Sequence, residues 1–540
     1  MIKHGFVKSM SNTISARRIA IALVTVLQLV APAPALQNPA PTPQQPAETA
    51  DSLRSRIGTH IAQPRYGPSA WGIKVVSLDT GKTLFEQNAG KYFSPASNAK
   101  LYTSALALDH LGADYRIKTS LYGAGRPTAE GSLKGDLIIY GRGDPTIAAS
   151  LNGGDYHKAL EPLAEQLAQS GVRRIEGDLI GDESYFKGPP LGSGWEWEDL
   201  QWYYGAEVSA LTINDNALDL KVVPAERIGI PCRVSTGPPT SFVTIINRTQ
   251  TVAKGTESRI VVYRPVGENI IYVSGRLPLG DKGYNGAVAV HNPAGLFVAM
   301  FKDALARRGI AVAGRARTTD WKYREVTPLD LTKLVELGSI QSLPVKDIVR
   351  ETMKPSQNLY AQLLLLQVGA VGCQVAGAGC QGAETAGPPP DHTTEQAGIE
   401  AMNRFLREIG VRQGDVVLEE GAGLSRKDLI TPAATVELLK FMSRHRHGEN
   451  YRDSLPVAGV DGTLKNRMKS GPATGNVRAK TGSLSYVYTL SGYVTTLAGE
   501  RLAFSIMLNN YYSIDKTTSP RDDIDAIVMM LAAFNGRSDN

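Results

Sequence analysis

Strand-forming runs open and close this 540-residue chain. Near the start, residues 71–78 and 82–87 read as two strands joined by the turn Asp79-Thr80-Gly81. Near the end, 484–494 is rich in β-branched and aromatic residues, and a second such run at 502–508 follows Ala498-Gly499-Glu500. Helical patterns fall between these hairpins, around 97–111, 359–366, 399–409 and 433–442, and a closing helix is expected near 524–534. Strands contributed by both chain ends, with helices between them, predict a mixed α/β (α+β) fold in which one antiparallel sheet is flanked by helices.

Three polar motifs sit on those elements. In Ser94-Pro95-Ala96-Ser97-Asn98-Ala99-Lys100, Ser94 reads as an N-cap with proline at the first helical position, and Leu101, Ala105 and Leu108 continue an apolar stripe. Ser97 then falls in the first turn, where free backbone N–H groups and the helix dipole favour a developing oxyanion. Lys100 follows on the same helix face, and a desolvated lysine beside other cations is neutral enough to take a serine proton. Read alone, the same residues also describe a capped helix with a solvated lysine. Ser356-Gln357-Asn358 follows Pro355 and suits a loop between helices. Lys480-Thr481-Gly482 leads into the C-terminal hairpin. On a strand Lys480 and Thr481 point to opposite faces, so both reach one ligand only along an exposed strand edge.

Taken in order, Ser97/Lys100, Ser356/Asn358 and Lys480/Thr481/Gly482 match the S-x-x-K, S-x-N and K-T-G set of serine β-lactamases and penicillin-binding proteins. More closely, residues 51–540 resemble the D-alanyl-D-alanine carboxypeptidase/endopeptidase family, the low-molecular-mass class C penicillin-binding proteins typified by penicillin-binding protein 4. The stretches Gly141-Arg142-Gly143-Asp144-Pro145-Thr146, Tyr203-Tyr204-Gly205-Ala206 and Gly421-Ala422-Gly423-Leu424-Ser425-Arg426 are similar to that family too. The resemblance implies a β-lactamase/transpeptidase-like domain and a serine D,D-carboxypeptidase acting on peptidoglycan stem peptides that end in D-alanyl-D-alanine, with β-lactams as covalent inhibitors. It implies Ser97 as nucleophile, Lys100 as first proton acceptor, Ser356 as proton relay to the leaving amine, and Asn358 as holder of the acyl-chain amide. Lys480 and Thr481 would bind the terminal carboxylate, Gly482 would permit close approach, and the N–H groups of Ser97 and Ser483 would form the oxyanion hole. No cofactor or metal is called for. A D,D-endopeptidase and a non-hydrolytic peptidoglycan-binding scaffold are the alternatives.

The long interval between Ser97 and Ser356 separates this chain from a compact β-lactamase. Residues 117–322 hold short alternating runs broken by glycine and proline, and they read as β-rich inserted accessory domains, which leaves 51–116 and 323–540 as the catalytic part. The class A β-lactamase glutamate, followed by asparagine four residues on, has no counterpart; Glu400 and Asn403 are three apart.

The first 35 residues read as a signal peptide. Lys3, Lys8, Arg17 and Arg18 precede an apolar 19–31 and the small-x-small site Ala33-Pro34-Ala35. Residues 36–50 form a proline-rich linker. A cell-envelope location, periplasmic or secreted, follows. Losing the leader takes the formal charge from +6 to +2, which gives no case for nucleic acid, and no later apolar run suggests a membrane anchor. Of three cysteines, Cys373 and Cys380 are placed to pair across a Gly/Ala loop, with Cys232 left buried.

Overall fold

The computed structural model describes residues 47–375, 392–513 and 519–539. The expected leader, most of the linker and the Cys373–Cys380 pairing lie outside the described residues. Residues from Ala47 onward form one compact unit.

The two terminal hairpins meet in a single five-stranded antiparallel sheet, ordered Arg478–Leu484, Val487–Thr495, Arg501–Asn509, Ala70–Ser77 and Thr83–Gln87. Period-2 alternation sends side chains to both faces of the sheet, and both are buried over the central strands. Ile73, Val75, Phe504 and Ile506 pack with Leu53 and Ile57 of the helix Ala50–Ile61 and with Ile527 and Leu531 of Pro520–Ala533. Val76, Ala503 and Met507 face the opposite way, against Ala99–His110, Asn358–Val375 and Pro432–Met442. The fold is therefore a sheet between two helical layers. Asn358–Val375 is buried on every side from Asn358 to Ala370, with Leu359, Ala361, Leu363, Leu364 and Leu365 in the core, as a helix at the centre of a layer must be.

The residues between the first two helical runs, 97–111 and 359–366, build further sheets. A mixed five-stranded sheet is ordered Ala316–Thr319, Leu179–Asp182, Leu137–Tyr140, Lys118–Gly123 and Val335–Gln341. It takes a strand from beyond residue 322, the expected end of the insertion. Two three-stranded sheets follow, one of Tyr284–Ala289, Ala217–Val223 and Arg233–Gly237, the other of Thr244–Val252, Ile270–Pro278 and Arg259–Tyr263. This region also contains helices Glu161–Gln169 and Pro293–Arg307, which the sequence patterns do not single out. The second starts where the Asn292 side chain accepts the Gly295 N–H ahead of Pro293, a cap signal hidden among short strand-like runs.

Candidate active site

Ser97 lies in a single 3-10 turn, Ala96–Asn98, that runs directly into the helix Ala99–His110. The expected Ser94 cap is not formed. The Ser94 N–H donates to Asn509 Oδ1 at 2.8 Å and its carbonyl accepts from Asn509 Nδ2, so Ser94 fastens the turn to the central sheet rather than capping the helix. Two further bonds hold the same turn on the sheet: Asn98 Nδ2 donates to Ser491 Oγ at 2.8 Å, and Thr489 Oγ1 donates to the Pro95 carbonyl at 2.9 Å. The nucleophile candidate thus stands on a rigid base while Ser97 itself remains partly exposed.

Lys100 is fully buried. Its Nζ lies 2.8 Å from Ser97 Oγ, 2.6 Å from Asn358 Oδ1 and 2.6 Å from the Ala422 carbonyl, three acceptors for the three N–H bonds of an ammonium. Desolvation pushes its pKa down to about 7, while the carboxyl groups of Glu420 and Asp428 act in the opposite direction. Glu420 is itself buried and gathers the backbone N–H groups of Ala422 (2.7 Å), Gly423 (2.5 Å) and Leu424 (2.8 Å). This ring of amides shapes the 421–425 loop and aims the Ala422 carbonyl at Lys100. Burial first, and then the charge of Glu420, push the Asp428 carboxyl well above the usual carboxylate range.

Ser356 occupies the connection between the helices Val345–Met353 and Asn358–Val375 with φ +69°, a left-handed conformation that is costly for serine. Its Oγ accepts a hydrogen bond from Lys480 Nζ at 2.7 Å. Lys480 comes from Arg478–Leu484, the terminal strand of the sheet, as the edge argument requires. It is also fully buried, and it donates to the Thr481 carbonyl at 2.9 Å. Desolvation, reinforced by Lys100, drives its pKa well below that of an ordinary lysine. Thr481 turns the other way and donates to Thr463 Oγ1 at 2.8 Å. Ser483 is exposed on the same strand.

Asn358 has both ends of its amide engaged, Oδ1 by Lys100 and Nδ2 by a 2.8 Å bond to the Tyr204 carbonyl. One Nδ2 hydrogen and one Oδ1 lone pair remain for a ligand. Gly482 admits close approach between protein segments: a Cβ there would lie 2.2 Å from Thr489 Oγ1 and 2.7 Å from the Pro95 carbonyl. Tyr204, Ala422, Glu420 and Asp428 join the site although their sequence settings did not single them out. Two of them lie inside stretches that carried the family resemblance, but nothing in a backbone carbonyl's residue type marks it as a ligand for Lys100.

The site is two hydroxyl–amine pairs, Ser97 with Lys100 and Ser356 with Lys480, close enough for one lysine to act on the other, with Asn358 holding Lys100. Each hydroxyl is reachable from solvent and each amine is dry and pushed toward neutrality, which suits nucleophilic attack and proton transfer. Among the described residues no cluster of metal-ligating side chains occurs, and no helix is long and apolar enough to cross a membrane.

Such a pairing on an antiparallel sheet between helical layers defines the β-lactamase/transpeptidase-like class. The chain belongs to the D-Ala-D-Ala carboxypeptidase 3 (S13) family, whose model matches residues 53–534. It is 34% identical to a D-alanyl-D-alanine carboxypeptidase of Actinomadura sp. (strain R39), over 96% of this chain and 91% of that one. It is 27% identical to the D-alanyl-D-alanine carboxypeptidase DacB of Haemophilus influenzae, over 82% of this chain and 86% of the relative. The crystal structure of penicillin-binding protein 4 (dacB) from Haemophilus influenzae has the same fold, with a TM-score of 0.71 at 24% identity, covering 88% of this chain and 97% of that one.

Proposed function

We propose that this chain is a serine D-alanyl-D-alanine carboxypeptidase of the cell envelope that works through an acyl-enzyme on peptidoglycan stem peptides and is inhibited by β-lactams. The observation that carries the reading is the 2.8 Å contact between Ser97 Oγ and a buried Lys100 whose pKa lies at about 7. As a neutral amine, Lys100 takes the Ser97 proton while the hydroxyl oxygen attacks the carbonyl carbon of the penultimate D-alanine. The tetrahedral oxyanion is received by the N–H groups of Ser97 and Ser483. Collapse expels D-alanine, whose amine takes a proton through Ser356 from the Lys480 side. That leaves Lys480 neutral and Lys100 protonated, so the Lys480 side takes a proton from the attacking water through Ser356 while Lys100 returns its proton to Ser97 Oγ as the ester breaks. Thr481 and a protonated Lys480 hold the terminal carboxylate, and Asn358 positions Lys100 while its spare N–H meets the acyl chain.

The scaffold alternative has little support, since every side chain needed for acylation is in contact with its partner. Labelling the purified protein with a fluorescent penicillin, followed by intact mass and peptide mapping, tests the reading. One adduct on Ser97, together with D-alanine release from a soluble D-alanyl-D-alanine peptide, is the expected result. Absence of any adduct would overturn the acyl-enzyme, and an adduct without D-alanine release would overturn the peptidase.

A further inference from the structure

The three-stranded sheet of Thr244–Val252, Ile270–Pro278 and Arg259–Tyr263 buries only one face. Val262, Ile271, Val273 and Leu277 enter the core, so the alternate residues point outward. Register places Tyr272 beside Tyr263, Ser274 beside Val261 and Arg276 beside Arg259, with Arg248 beside Ser274 on the third strand. The Tyr263 and Tyr272 rings stack with centroids 6.2 Å apart and planes 28° apart, and the Arg248 guanidinium lies 5.7 Å over the Tyr272 ring. Tyr263 is 51% exposed and Val261 45% exposed. Arg248, Arg259 and Arg276 are exposed, and none of them has a carboxylate partner among the described residues.

An ordinary solvated sheet face carries mixed charge and few aromatic rings. This one combines a stacked tyrosine pair, of which Tyr263 is half exposed, with three guanidinium groups free of ion pairs, the donors that hold planar carboxylates bidentately. The Tyr263 ring supplies apolar area for a sugar, and the arginines supply complementarity to peptide carboxylates. We propose that this face is a docking surface for uncut peptidoglycan strands, with the sugars against the tyrosines and the stem-peptide carboxylates on the arginines, made by elements other than those that hold Ser97. The inference rests on the peptidoglycan reading above. Through this face the inserted region keeps the enzyme on the polymer while the Ser97 site meets successive stem peptides.

The test is co-sedimentation of the full chain with purified insoluble sacculi, in a Ser97→Ala background so that the polymer is not cut. Tyr263→Ala/Tyr272→Ala and Arg248→Gln/Arg276→Gln are each expected to lower the bound fraction at least fivefold at 0.15 M salt. Binding of the parent is expected to weaken as salt rises, since exposed charges are screened. With Ser97 restored, the same changes should leave D-alanine release from a soluble peptide within twofold of the parent. Unchanged sedimentation of both variants would overturn the docking surface. So would equal loss of binding to anionic phospholipid vesicles without loss on sacculi, which would assign the face to a membrane. Sacculus binding by the Ser97→Ala chain, together with no D-alanine release by the chain that keeps Ser97, would instead sink the catalytic reading and leave the surface standing.

Discussion

Lys480 Nζ rests 2.7 Å from Ser356 Oγ although 124 positions separate the two residues. The amine is fully buried, with another lysine as its charged neighbour, so the empty site favours its neutral form. A substrate carboxylate reverses that balance, because an adjacent negative charge draws a proton onto the amine. Binding of a non-reactive peptide carboxylate is therefore expected to raise the Lys480 pKa and to take up a proton over the pH range that separates the empty from the occupied site. Calorimetry in buffers of different ionisation enthalpy measures this directly. Lys480→Gln should abolish the uptake and weaken binding by at least tenfold; persistence of the uptake in that variant would assign the proton elsewhere.

In the proposed mechanism the Ser97–Lys100 pair sets the pH dependence of acylation. With a pKa of about 7, the base is inactive at low pH, and the acylation rate should climb along a limb centred there before levelling off. Lys100→Arg cannot shed its proton, so it should lose the limb together with about 10²–10⁴ of the rate. Stopped-flow acylation by a chromogenic penicillin reads both effects. The same depression has a folding consequence. Below about pH 7 Lys100 is protonated in both folded and unfolded chains and the full cost of its burial is felt. Between there and its ordinary value of 10.5 only the unfolded chain holds the proton, so this residue's contribution moves in favour of the folded state as pH rises.

Asn358→Asp places a carboxylate where a neutral oxygen now accepts from Lys100 at 2.6 Å. An opposite charge at that range raises a lysine by about one to three pKa units. The limb of the acylation profile should shift upward by about that amount, lowering the rate near pH 7 by about fivefold or more while sparing the rate at high pH. An unshifted limb in Asn358→Asp would show that Lys100 is not the group that titrates.

Much of this arrangement is legible in the sequence, and the reasons are local. The hairpins at 71–87 and 484–508 carry period-2 patterns and turn residues, and they pair through one sheet. The motif side chains are distinctive in type and order, and Lys100 and Lys480 do meet Ser97 and Ser356. The cap expected at Ser94 is absent because a serine before proline is only the usual local solution, and the distant Asn509 supplies competing bonds that no local pattern reveals. The Ala422 carbonyl is invisible for a similar reason: backbone groups act wherever the chain places them. The glycines in Gly421-Ala422-Gly423 hint at an unusual path, and the structure supplies its cause. Gly423 has φ +77°, and a Cβ there would fall 1.9 Å from the Ala96 carbonyl.

Gly482→Ala tests how tightly the strand must approach the Ser97 turn. The added methyl would meet Thr489 Oγ1 and the Pro95 carbonyl, and the latter is backbone that cannot swing away. Overpacking of this kind costs about 1–3 kcal/mol, and a displacement of about 1 Å at a nucleophile lowers turnover on the order of 10²-fold. Thermal melting and penicillin acylation should both fall. Gly90→Ala, where a Cβ meets nothing within 4 Å, is the matched control and should change neither.

Glu420 is the residue on which the Lys100 side of the site depends without touching Ser97. Glu420→Ala leaves the buried N–H groups of Ala422, Gly423 and Leu424 without their acceptor, at about 1–3 kcal/mol each, and frees the loop that presents the Ala422 carbonyl. The melting temperature should drop by many degrees and acylation should fail. Glu420→Gln is the more informative change, because it keeps the volume and removes the charge. Glu420 is the largest influence holding Lys100 up against desolvation, so without it the acylation limb should move below pH 7. Asp428 responds in the opposite direction. Relieved of its charged neighbour, it drops toward the ordinary carboxylate range and, once ionised, restores part of the lost field. Glu420→Gln/Asp428→Asn removes that compensation, so its limb should lie lower than that of either single variant. Limbs that coincide in all three would show that the carboxyl pair shapes the loop without tuning Lys100.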